Sequence, residues 1–130
     1  MDTANTTTLH VACLCAAWCR TCDAYAAIFE QAMATLRLQH PALQAHWIDI
    51  EDESELLGDL DIETFPTLVI VAGAQLRFAG PLTPQPETLQ RVLRAALDNA
   101  TPTPASAEVL AFAQRLRRRR PHPPAHQDPP

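Results

Sequence analysis

The sequence predicts one α/β domain built on a four-stranded mixed sheet with helices on both faces. Three observations predict it. Four apolar, strand-length stretches alternate with segments of helical period in the order β-α-β-α-β-β-α. The β-α-β part requires a right-handed crossover between parallel strands, while a tight turn at Ala72-Gly73-Ala74-Gln75 makes the last two strands an antiparallel hairpin. Finally, 130 residues suffice for one core and are too few for two.

Each element has its own signal. Leu9 to Cys15 is uniformly apolar between a threonine run and Ala16-Ala17-Trp18, as in a buried strand. From Cys19 to about Leu38 the period becomes helical, with Cys22, Tyr25, Ala26, Phe29, Met33 and Leu36 on one stripe. Gln39-His40-Pro41 ends that helix, because proline disfavours helical backbone in the residue before it. Ala42 to Ile50 reads as the second strand. Asp52-Glu53-Ser54-Glu55 resembles a capping box for a short helix that buries Leu56, Leu57 and Leu60. Phe65 to Val71 and Leu76 to Ala79 are the hairpin strands, and Pro86 to Asn99 is the last core helix, with Leu89, Val92, Leu93, Ala96 and Leu97 inward.

Composition changes at residue 101. Residues 1–7 are expected to be flexible, 8–100 to form the domain, and 101–130 to be an extension. Within the extension, Ser106 to Arg119 has a helical stripe of Val109, Phe112, Ala113 and Leu116, and residues 121–130 lack any apolar pattern and are expected to be disordered. On that reading, removing 101–130 leaves activity nearly intact. Residues 1–100 carry five arginines against 13 acids, which argues against nucleic-acid binding, and the arginines at 115 and 117–120 sit where a helix dipole favours cations. A solvated helix end, packing onto the acidic domain, and binding of a partner all remain open to them. No apolar run of membrane-spanning length and no basic leader are present, so a cytoplasmic protein without membrane contact is expected. The basic residues are all arginine, and with abundant alanine and proline this points to a GC-rich, bacterial gene. The five histidines show no partner spacing and are expected at the surface.

Four cysteines, Cys13, Cys15, Cys19 and Cys22, lie within ten residues. A disulfide scaffold would spread them along the chain, so the clustering points to chemistry or metal. Cys19 falls where the first strand gives way to a helix. Free N–H groups and the positive dipole end favour thiolate there, and Arg20 adds a positive charge. Thiolate is the attacking species in disulfide exchange. Cys22, one turn on, is placed to displace a mixed disulfide. Cys13 and Cys15 share one face of their strand, where they serve as small buried apolar residues or as auxiliary thiols. With Cys19 and Cys22 they would also supply four thiolates to zinc.

Trp18-Cys19-Arg20-Thr21-Cys22 after a buried strand resembles the active site of the thioredoxin family, and Phe65-Pro66-Thr67 resembles that family's cis-proline segment. The resemblance runs from about residue 8 to 100 and includes Gly80. It implies a thioredoxin-like fold and thiol–disulfide exchange, with no cofactor and no metal. Cys19 would be the nucleophile and Cys22 the resolving thiol. Trp18, Phe65 and a cis Pro66 would shape a substrate groove, although Phe65 also suits plain packing. Protein disulfide substrates, a reductase or other redox partner, and a monomeric state follow from the same resemblance.

The sequence departs from the family pattern in places. With 18 residues before Cys19, the family's first strand and helix are expected to be missing or vestigial. Arg20-Thr21 leaves the redox potential open, and Ala27 replaces a kinking proline, so a straight helix is expected. Cys13 and Trp47 stand where the family buries an aspartate and its lysine partner, which leaves water or Glu51 to take a proton from Cys22. Two other readings share these residues: a binding or assembly module on the same fold, and a zinc site.

Overall fold

The computed structural model describes residues 8–98 and 103–119. The flexible segment expected at 1–7 and the disordered tail expected at 121–130 lie outside them. The elements run β1 (Leu9–Cys15), α1 (Arg20–Gln39), β2 (Gln44–Asp49), α2 (Ser54–Leu57), β3 (Thr67–Ala72), β4 (Gln75–Pro81), α3 (Pro86–Asp98) and α4 (Ala107–Arg118). The sheet order is β2-β1-β3-β4. β1 pairs parallel with β2 and antiparallel with β3, and β3 with β4 is the expected hairpin. Gly73 turns that hairpin at φ +60°, a left-handed conformation that glycine adopts without a Cβ penalty. A bulge between Ile70 and Val71 pairs Ile70 with Phe78 but Val71 with Leu76, so Arg77 is the extra residue.

Side chains alternate across the sheet, and the two faces form two clusters. Val11, Cys13, Cys15, Leu68 and Ile70 face α1 and α3, meeting Cys22, Tyr25, Phe29, Met33, Leu89 and Leu93. Ala12, Leu14, Ile48, Val69 and Val71 face the other way, meeting Leu57 of α2 and Phe112, Ala113 and Leu116 of α4. α1 is a single 20-residue helix that runs unbroken through Ala27.

The structure corrects three expectations. α4 is no dispensable appendage: Phe112 and Leu116 are fully buried and cover a sheet face that would otherwise meet water. Its Ser106 hydroxyl accepts from the Val109 N–H as an N-cap. The capping box at α2 does not form. Glu53 is the N-cap but makes no side-chain cap, because its carboxylate is held by Arg119 at 2.7 and 2.8 Å. Two histidines are buried rather than exposed, His10 and His46, on the α4 face.

Those histidines form a chain whose proton positions follow from its end. Arg119 can only donate, so its Nη1–H at 2.9 Å makes His46 Nδ1 an acceptor. His46 then carries its proton on Nε2 and donates to His10 Nδ1 at 3.0 Å. Arg115 ties the same helix to α2, donating to the carbonyls of Leu56 (2.6 Å) and Leu57 (2.9 Å) at that helix's C-terminal end. Gly58 caps α2 at φ +59°, and a Cβ there would lie 2.8 Å from the Arg115 guanidinium.

Two outcomes are expected from this packing. Phe112→Ala should lower the urea-unfolding free energy by about 3–5 kcal/mol, the usual range for emptying an aromatic core site, and deleting residues 103–130 should abolish cooperative unfolding. Burial, aided by the Arg117 charge, holds His10 below the ordinary histidine value. The unfolded chain therefore binds the extra proton first, and stability should be full above about pH 6.5 and fall as the pH drops below it. Urea titrations from pH 8 to 5 should show that loss. His10→Asn, which keeps an acceptor for His46 but does not titrate, should flatten it.

Candidate functional site

The site forms where β1 ends. Ala16 and Ala17 turn the chain, with the Cys19 N–H donating to the Ala16 carbonyl at 3.0 Å, and α1 begins at once. Cys19 is its N-cap, in extended backbone with no side-chain cap bond. Its carbonyl accepts from the N–H groups of Cys22 (3.1 Å) and Asp23 (3.2 Å). Cys19 is half-buried and a free thiol, while Cys22 is fully buried. Arg20, expected to activate Cys19, is exposed in the first turn of α1.

Cys22 is bonded to Cys15, not to its expected partner Cys19; the Cα atoms of the disulfide are 5.8 Å apart. The local geometry accounts for this. Cys15 is the last residue of β1 on the face beneath α1, and Cys22 is the first inward residue of the helical stripe, so both sulfurs enter the same gap. The Cys13 thiol donates to Cys15 Sγ at 4.0 Å, a weak contact that sulfur allows. Burial pushes the Cys13 thiol well above the ordinary range, so it stays protonated. Tyr25 is buried beside this group, and its hydroxyl has no hydrogen-bond partner among the described residues. Burial also raises the Tyr25 hydroxyl, with the nearby Cys13 adding to the effect.

Trp18 is 65% exposed, unusual for so large an apolar side chain, and stands at the mouth of the site. Its ring meets Phe65 edge to face, with centroids 5.6 Å apart, and its indole N–H donates to Glu51 at 3.1 Å. Phe65–Pro66 is a cis peptide. Pro66 is buried, and its carbonyl accepts from the Leu82 N–H at 3.0 Å. The contact between Trp18 and Phe65 therefore brings the cis-proline loop against the start of α1, with Phe65 half-buried over the cysteine cluster.

Of the residues singled out in sequence, Trp18, Cys19, Cys22, Phe65 and Pro66 gather at one end of the sheet. Glu51 joins them through Trp18, and its own N–H donates to Asp49 Oδ1 at 2.9 Å. Cys13 and Trp47 are register partners across β1 and β2, and Trp47 packs on Phe29 with centroids 5.8 Å apart. Among the described residues, no carboxylate is hydrogen-bonded to Cys22, and no three His, Cys, Asp or Glu side chains are grouped as a metal site. A groove of about 700 Å³ between α1 and α3, lined by Ile28, Ala32, Leu36, Leu93 and Leu97, lies away from these cysteines.

The fold and the cysteine-bearing helix start define a thioredoxin-fold protein. The Thioredoxin family model matches residues 2–94, and the chain belongs to the thioredoxin family. A curated relative, protein disulfide-isomerase A4 of Bos taurus, is 32% identical over 96 residues. That match covers 73% of this chain but only 15% of the bovine protein. Among solved structures, the germline-specific thioredoxin Deadhead of Drosophila melanogaster superposes with a TM-score of 0.56 at 17% identity, covering 71% of this chain and 84% of that one. Thioredoxin of Trypanosoma brucei brucei gives 0.53 at 22%, covering 71% and 77%. At such identities the structural likeness bears on the fold alone. No helix among the described residues is long and apolar enough to cross a membrane.

Access sets the order in which the thiols react. Limiting iodoacetamide on the folded, non-reduced protein should label Cys19 alone, and Cys13 should react only after unfolding. Peptide mass spectrometry reads the result; labelling of Cys13 before Cys19 would contradict the burial described.

Proposed function

We propose that this protein catalyses dithiol–disulfide exchange on protein substrates, with Cys19 as nucleophile and Cys22 as resolving thiol. The observation that carries the reading is the meeting, at one end of the sheet, of the free Cys19 thiol, the buried Cys22 sulfur and the cis Phe65–Pro66 loop. In the reduced protein, Cys19 loses its proton and attacks one sulfur of a substrate disulfide, expelling the other as a thiolate. Cys22 then attacks Cys19 Sγ, and the substrate leaves with both sulfurs reduced. A redox partner, a thiol reductase in a reducing compartment, returns the protein to the dithiol state.

The surroundings suit that role. Trp18 and Phe65 offer an apolar edge beside Cys19, suited to the apolar flanks of an unfolded segment. The Trp18–Glu51 bond fixes the indole orientation. With Cys13 and Trp47 in place of a buried charged pair, proton removal from Cys22 falls to water or to Glu51 at the mouth. No cofactor is required, since the electrons move between sulfurs.

The test is insulin reduction with dithiothreitol as electron source. Cys19→Ser should lower the rate by about 100-fold or more, as loss of a nucleophile usually does. Cys22→Ser should accumulate the Cys19 mixed disulfide, visible by non-reducing electrophoresis with a substrate protein. Wild-type rates in Cys19→Ser would overturn the proposal.

A further inference from the structure

Two cysteines compete for one sulfur. Cys22 is bonded to Cys15 from the strand beneath it, while Cys19 is one helical turn away, close enough for its carbonyl to accept the Cys22 N–H. The competitors differ in access. Cys15 is 2% exposed and Cys22 1%, whereas Cys19 is half-buried at the mouth of the site. Disulfide exchange needs a thiolate to reach a sulfur directly. The bond in the structure is closed to an external thiol; of its two thiol neighbours Cys13 is buried and held protonated, which leaves the half-buried Cys19 as the one on the side open to solvent.

We propose that Cys15 is a third redox cysteine, and that Cys22 exchanges between a sheltered disulfide with Cys15 and an accessible one with Cys19. This rests on the assignment of Cys19 and Cys22 as the exchanging thiols. The step balances internally. Cys19 gives its proton to solvent, and its thiolate attacks Cys22 Sγ. The Cys19–Cys22 bond forms as the Cys15–Cys22 bond breaks, and the electron pair leaves on Cys15 Sγ, which takes up a proton. One thiol and one disulfide stand on each side, with no oxidant or reductant consumed. Cys13, a buried thiol 4.0 Å from Cys15 Sγ, donates to the departing sulfur. An external thiolate then attacks Cys19 Sγ in the accessible form and frees Cys22. Reduction of the sheltered form must therefore pass through Cys19, and while that form persists Cys19 stands as a free thiol on an oxidised protein.

The experiment uses the full chain, oxidised with one equivalent of diamide, quenched in acid and mapped by differential alkylation with tandem mass spectrometry. Wild type should hold the Cys15–Cys22 bond with Cys19 alkylated, while Cys15→Ala, or Cys15→Ser if the alanine variant does not fold, should hold Cys19–Cys22 alone. Cys19→Ser should form Cys15–Cys22, yet glutathione should reduce it at least about tenfold more slowly than wild type in the folded state, and equally fast in guanidinium, because access controls the exchange. Equal folded-state rates for wild type and Cys19→Ser, or oxidised wild type holding only Cys19–Cys22, would overturn the internal exchange. If Cys19→Ser has nevertheless lost insulin reduction, the failure is confined to the exchange. If it retains full insulin reduction, the assignment beneath it fails as well.

Discussion

Strand β1 carries two cores at once, and the rest of the molecule is arranged around that constraint. All seven of its residues are buried, and it sits between β2 and β3 with hydrogen-bonded neighbours on both edges. Its odd-numbered residues from Leu9 to Cys15 pack under α1 and α3; Ala12 and Leu14 pack under α4. A strand buried on both faces must be apolar throughout, which is why the sequence spends cysteine and alanine there beside leucine and valine. Its single polar side chain, His10, is accommodated because His46 donates to it and Arg119 fixes the tautomer from behind. A buried imidazole without that chain would leave a ring nitrogen unsatisfied.

The cysteine cluster grows from the same strand. Because β1 ends on an inward-facing cysteine and α1 starts five residues later, the strand end and the first helical turn share one small volume. That volume holds the Cys15–Cys22 bond, with Cys13 below and Cys19 above. The ring contact of Trp18 with Phe65 closes one side and joins two segments distant in sequence. Apolar burial keeps Cys13 protonated beneath, while Cys19 stands where solvent reaches it. The two free thiols, on either side of the disulfide, are thus separated by environment rather than by distance.

The strands were legible because each is a short apolar run with clear punctuation, and so were the crossover and the hairpin; the antiparallel pairing of β1 with β3 that joins them is a long-range contact that no local pattern marks. Trp18, Cys19, Cys22, Phe65 and Pro66 were legible as a motif. The pairing of Cys22 was not, because motif spacing draws attention to Cys19, and only the combined phase of strand and helix aims Cys15 into the same gap. A signal was present: Cys15 is the last inward residue of the strand, and Cys22 the first of the helix. The burial of the histidines has no local signal, because His10 and His46 are 36 positions apart and only the pairing of β1 with β2 makes them neighbours. The capping motif at Glu53 failed for a similar reason. A local pattern competed with the guanidinium of Arg119, 66 residues away, and a charged bidentate partner outweighs a single bond to a backbone N–H.

The placement of α4 has a consequence for how the chain reaches this fold during synthesis. The sheet is complete in sequence by Pro81, but one of its faces stays open until Phe112 and Leu116 have been made. A chain emerging from the ribosome N-terminus first would expose Leu14, Ile48, Val69 and Val71 as one contiguous apolar surface over that interval. The closing helix is short, and it is clamped by Arg115 and Arg119 to carbonyls and a carboxylate rather than by apolar contact alone. Completion of the domain is thereby a late event, and the nascent sheet is the stage at which aggregation or chaperone capture competes with folding.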